Sequence, residues 1–198
     1  MQSNKLYILF AALLIITGCS QENNIFTDKE GHKYQAIPTD NNSPKQIEEN
    51  KVLKPVINID DGSYWRISKD GKLKFESVFF DNGHDYYVKG LARFIRNGKV
   101  GFHDKLGNVI IEPKYDYAGP FPEDKDNNFA FICNGCWAEY PENPKYAAVS
   151  SKGCQFPLKE QYKGIQGGKW GAINTKGEEI VPVTHKSSES VLKLLKHK

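Results

Sequence analysis

The chain has 198 residues, with 27 lysines and arginines against 24 aspartates and glutamates, for a formal net charge of +3. That near-balance excludes a strongly electrostatic partner such as nucleic acid, which needs clustered basic residues; here Lys and Arg alternate with acids along most of the chain. Seventeen glycines, ten tyrosines, eleven phenylalanines and a single methionine favour many short strands over helices, so a mainly β fold in one domain is predicted.

Residues 1–18 read as a targeting segment: a polar start with Lys5, an apolar run over 6–16, and small residues before Cys19. As a helix that run reaches only ~17 Å, short of a ~30 Å hydrocarbon core, so a signal peptide is expected and a stable span is not. The stretch Ile16-Thr17-Gly18-Cys19 resembles the lipobox of bacterial lipoproteins. The resemblance implies lipid on the Cys19 sulfur, cleavage after Gly18, and membrane attachment through the acyl chains, facing the periplasm. Ser20 stands where an aspartate is the usual signal for inner-membrane retention, which favours the outer membrane.

Residues 19–50 are polar, with QENN, TDKEGHK and TDNNSPKQIEEN, and are predicted to form a flexible, lipid-anchored tether. Local docking of Ile25, Phe26 and Tyr34 is the structural alternative.

Residues 51–185 carry a repeating pattern. Around Asn97-Gly98, whose residue types suit the positive φ angles of a two-residue hairpin, strands are predicted at about 90–96 and 99–104. A second turn at 104–107 leads into a third strand at about 108–112, ended by Pro113. The first turn recurs at Asn134-Gly135 and Gly167-Gly168; the second recurs at Lys152-Gly153 and Lys176-Gly177, with Trp65 to Phe75 as an opening half-unit. Such spacing marks an architecture in which each unit buries a face against its neighbours. Gly168-Lys169-Trp170-Gly171 and its flanking hairpins resemble the WG (KWG) β-repeat family of bacteria, which implies an array of short antiparallel hairpins. Phe80 to Tyr87, followed by Gly90-Leu91-Ala92-Arg93, also resembles repeat-bearing envelope proteins of that family. Val100 and Ala138 depart from the Trp-Gly pair, and 139–145 reads as an insertion. Residues 186–198, with serines before apolar positions 191, 192, 194 and 195, predict a short amphipathic helix that docks or frays.

Four cysteines occur, and lipid would consume Cys19, leaving Cys133, Cys136 and Cys154. A hairpin at Asn134-Gly135 would place Cys133 opposite Cys136 with Cα atoms about 5.5 Å apart, a spacing that permits a structural disulfide in an oxidising compartment. The alternatives are thiol redox chemistry and a zinc site that adds His84, His103 or His185 to the thiols. His84, Asp85, Tyr86 and Tyr87 are the binding candidates. Neighbouring residues on a strand point to opposite faces, so His84 and Asp85 are not expected to act as a catalytic pair, and no catalytic residue, cofactor or metal is assigned. Trp65, Trp137 and Trp170 read as packing between repeats. The expected function is that of a non-enzymatic envelope lipoprotein whose β-repeat surface binds another envelope component, a protein by preference. An immunity or inhibitor lipoprotein is a further alternative.

Overall fold

The computed structural model describes residues 25–37, 51–80, 83–138 and 164–196. The lipobox with Cys19, the turn at Gly153 and Cys154 lie outside the described residues.

Strands β1 (Ile25–Thr27) and β2 (Lys33–Ala36) form a hairpin that pairs onto β3 (Leu53–Asn58), so the tether expected over 19–50 is corrected for 25–36. The aromatic residues explain it. Tyr34 is 2 % exposed in a cluster with Val56, Ile67 and Trp65, and Phe26 stacks on it with ring centroids 5.4 Å apart. A few apolar side chains in a polar segment suffice when a preformed sheet offers them a surface.

The chain continues antiparallel through β4 (Tyr64–Ser68) and β5 (Lys74–Ser77), joined at Gly71 with a φ of 69°, which is the opening half-unit read from the sequence. After a separate ribbon of β6 (Phe79–Phe80) and β7 (Gly83–His84) come β8 (Leu91–Arg96), β9 (Lys99–Asp104) and β10 (Val109–Tyr115). They complete an eight-stranded sheet of order β1-β2-β3-β4-β5-β8-β9-β10. Asn97 and Gly98 both have positive φ, 53° and 72°, as the hairpin required. Pro113 does not end the third strand: it lies inside β10, at the sheet edge and within a register shift, where its missing N–H breaks no ladder bond.

The second sheet has the order β11 (Tyr117–Ala118), β12 (Phe129–Ala138), β13 (Ile165–Asn174), β14 (Glu179–His185). Its β13–β14 pair repeats β9–β10 register for register. Val100 opposes Tyr115 as Trp170 opposes His185, and Phe102 opposes Ile111 as Ala172 opposes Val181. The two sheets share one apolar core, with Val100, Phe102, Ile111 and Tyr115 from the first meeting Ala118, Ala130, Ile132 and Ile173 from the second.

The hairpin expected at Asn134-Gly135 is absent. β12 runs through both residues against β13, with Asn134 opposite Lys169 and Cys136 opposite Gly167. Gly135 keeps its positive φ of 73° inside an unbroken register, facing Gly168 at 70° where the sequence also suggested a turn, and its N–H donates to Asp116 Oδ2 at 2.7 Å. Lys99 Nζ holds the other Asp116 oxygen at 2.6 Å, so a residue of the first sheet fixes the acceptor of the Gly135 N–H in the second.

The predicted tail helix is α1 (Ser188–Leu195), capped by Ser187, whose hydroxyl accepts from the Ser190 N–H while the Ser190 hydroxyl accepts from the Ser187 N–H. Buried Val191 seats it in the cluster of Trp170, Ala172 and Val181.

Candidate functional site

The segment holding the four sequence-derived binding candidates splits into a buried support and an exposed surface. Asp85 and Arg93 are 3 % and 2 % exposed and paired in a fork: Arg93 Nη2 donates to Asp85 Oδ1 at 2.7 Å and Nε to Oδ2 at 3.0 Å. Oδ2 also accepts the Arg93 backbone N–H at 2.8 Å, and Arg93 Nη1 donates to the Ala118 carbonyl at 3.1 Å, which ties the loop to the second sheet. A second buried arginine, Arg66, donates to the Asp85 carbonyl at 2.7 Å and lies over the Tyr87 ring, 4.4 Å from its centroid. Asp85 and Tyr87 are therefore interior, not available to a partner.

His84 and Tyr86 point the other way. Tyr86 is 41 % exposed and meets Phe80, 39 % exposed, edge to face at 6.2 Å, with the His84 ring 6.4 Å from Tyr86. Phe80 rests on the Arg93 guanidinium at 5.1 Å. Burial, helped by the Arg66 charge and opposed by Asp85, lowers His84 to about 4, so its imidazole is neutral at neutral pH. The result is an uncharged aromatic surface braced from beneath by a buried ion pair. Phe80 carries no local signal in the sequence, because its partners Arg93 and Tyr86 lie too far along the chain for local patterning to reveal.

The disulfide expectation is corrected. Cys133 and Cys136 are free thiols on one strand, side by side in the same apolar cluster although no turn lies between them. Burial raises the Cys133 thiol above its ordinary range. Burial first, then the adjacent Cys133, raises Cys136 further. Both stay protonated at neutral pH, opposite to what a reactive thiolate requires. Among the described residues, His84, His103 and His185 do not gather with these thiols; the one cluster of metal-capable side chains is Asp28, Glu30 and His32. Lys74 already fills it, its ammonium 2.8 Å from Asp28 and 2.6 Å from Glu30.

Of the tryptophans, Trp170 is 7 % exposed, donates Nε1–H to the Gly167 carbonyl at 2.9 Å and meets Tyr117 at 5.7 Å. Trp65 donates to Ser63 Oγ at 2.7 Å. Both pack as expected. Trp137 departs from that reading: it is 59 % exposed, its ring lying on Gly167.

The fold and its repeated hairpin register define a class: an antiparallel β protein assembled from recurring units. Within that class, residues 101–135 and 170–184 match the family model described as WG containing repeat. The two matched stretches begin at Gly101 and Trp170, inside the strand pairs β9–β10 and β13–β14 whose registers coincide. No curated protein and no solved structure matches the chain.

Proposed function

We propose that this protein is a non-enzymatic lipoprotein of the bacterial envelope, processed before Cys19 and held by its lipid on the periplasmic face of the outer membrane. Its β-repeat domain binds another envelope component, a protein, without a cofactor. The anchor rests on Ile16-Thr17-Gly18-Cys19. The observation that carries the binding role is the exposed Phe80–Tyr86 pair on the buried Asp85–Arg93 fork. Rigid, half-exposed aromatics with an arginine behind them lose little entropy on burial and are the residue types on which interfaces concentrate binding energy. A thiol-redox role for Cys133, Cys136 and Cys154 draws no support from a buried and a half-buried thiol whose pKa values rise.

Affinity capture from crosslinked cells with mass spectrometry tests the binding role. One reproducible envelope protein, lost in the Phe80→Ala/Tyr86→Ala variant, is expected; capture unaffected by that variant would remove the aromatic surface from the interface. Separately, Cys19→Ser is expected to abolish fatty-acid labelling and to accumulate precursor, and normal labelling would sink the anchor.

A further inference from the structure

At the outer end of the eight-stranded sheet a groove of about 860 Å³ runs across β1, β3 and β4, bordered by the turns that carry Lys29 and Lys69. Its floor is apolar, with Val56 and Ile67 each no more than 3 % exposed, and its lip carries Ile25 and Phe26, 49 % and 39 % exposed. The charges on it are not self-neutralised. Lys74 is taken by Asp28 and Glu30, and Lys72 lies 3.4 Å from Asp70. Lys29, Lys54 and Lys69, all exposed, meet no carboxylate among the described residues, so three ammonium groups surround exposed apolar side chains.

Position supplies the second argument. Ile25 stands six residues after Cys19, and at ~3.5 Å per residue an extended connection keeps the β1 end within ~20 Å of an anchor at that cysteine. The opposite end of the molecule, with β14 and α1, carries no such constraint.

We propose that this groove is the face on which the anchored protein rests against anionic phospholipid: Lys29, Lys54 and Lys69 meet headgroup phosphates, and Ile25 and Phe26 enter the interfacial layer. The proposal rests on the anchor reading above and adds the orientation of the domain. Lipid fixes one point of the chain, and a basic patch with apolar side chains beside it supplies the contacts that a single point cannot. It leaves the Phe80–Tyr86 surface, on a different part of the domain, free for a protein.

Site-resolved lysine acetylation tests it. The full-length lipidated protein, purified from membranes, is reconstituted on phosphatidylethanolamine vesicles with or without phosphatidylglycerol, and modification at each lysine is read by mass spectrometry. Lys29, Lys54 and Lys69 are expected to react several-fold more slowly when phosphatidylglycerol is present, while Lys176 and Lys193 are unchanged. In a lipidated Lys29→Glu/Lys54→Glu/Lys69→Glu variant, which still floats with the vesicles, the phosphatidylglycerol-dependent protection of Lys72 is expected to disappear. Equal reactivity of the groove lysines on both vesicles overturns the proposal. Protection in intact cells but not on vesicles overturns it too, and assigns the groove to a protein. Flotation with the zwitterionic vesicles reads the anchor by itself, so a failed anchor and a failed groove are told apart.

Discussion

Gly171 stands to Val181 and Val183 as Gly101 stands to Ile111 and Pro113. A Cβ on Gly101 would lie 2.5 Å from the Ile111 carbonyl oxygen and 2.7 Å from the Pro113 nitrogen; on Gly171 it would lie 2.6 Å from the Val181 oxygen and 2.9 Å from the Val183 nitrogen. In both units the irregular next strand crosses directly over the glycine, and the obstacle is backbone, which cannot swing aside. The glycine of the Trp-Gly pair is thus kept for close approach, and the Val100 departure is tolerated because the preceding position needs only a buried apolar side chain.

Gly101→Ala and Gly171→Ala are therefore each expected to destabilise by about 1–3 kcal/mol through overpacking. Gly98→Ala, in open space at a φ of 72°, is expected to cost about 1–2 kcal/mol through backbone strain alone. Urea midpoints check both, and unchanged midpoints for Gly101→Ala would mean that the crossing strand yields.

Breaking the Asp85–Arg93 fork should be costlier. Asp85→Ala leaves Arg93 charged and buried with the Arg93 N–H unmatched, so a loss of about 3–5 kcal/mol is expected. The double change Asp85→Ala/Arg93→Leu is expected to recover part of it, since no orphaned charge remains. Chemical denaturation of the three variants decides, and an additive double variant would show the pair to be uncoupled.

Stability should fall on mild acidification. His103 is fully buried, stacked on Phe75 at 4.2 Å, with Nδ1 hydrogen-bonded to the Asp104 carbonyl at 2.8 Å. Burial, opposed by that bond and reinforced by the Arg66 charge, lowers it to about 4. Below about 6.5 the unfolded chain binds a proton that the folded chain refuses, so stability is complete above that pH and declines from there toward pH 4. The full decline from this residue is on the order of 3 kcal/mol, and His84 adds to it in the same direction. Melting temperature against pH checks this; a His103→Gln variant with an equally steep acid slope would shift the cause elsewhere.

The thiols give a kinetic prediction. With both pKa values raised, Cys133 and Cys136 of the native protein should alkylate at neutral pH much more slowly than in urea, the two sites converging only on unfolding. Timed iodoacetamide labelling with peptide mapping checks it, and rapid native labelling would restore the redox reading.

Much of the fold is written locally. Asn97-Gly98, Gly107 and Gly177 take the positive φ their residue types allow, which sets β8 and β9 within a residue of the expected bounds and fixes where β10 and β14 begin, and Ser187 caps the tail helix. Local chemistry settles these because each depends on one residue's backbone preference and its near neighbours. Gly135 shows the limit. Its positive φ serves a hairpin turn or a place within a strand opposite a second such glycine, Gly168, and its N–H is taken by a non-local acceptor, Asp116, positioned by Lys99 of the other sheet. Tyr34 and Phe26 likewise sit in a segment polar enough to read as tether, and only a finished surface of Val56, Ile67 and Trp65 makes their burial worth the entropy of ordering β1 and β2. The sequence by itself determined the mainly β repeat with its turn geometry. Tertiary structure alone decided that Gly135 lies within a strand instead of reversing it, that Asp85 and Tyr87 turn inward while Tyr86 faces solvent, and that three lysines with no carboxylate among the described residues line one groove, because each depends on contacts between segments far apart in the chain.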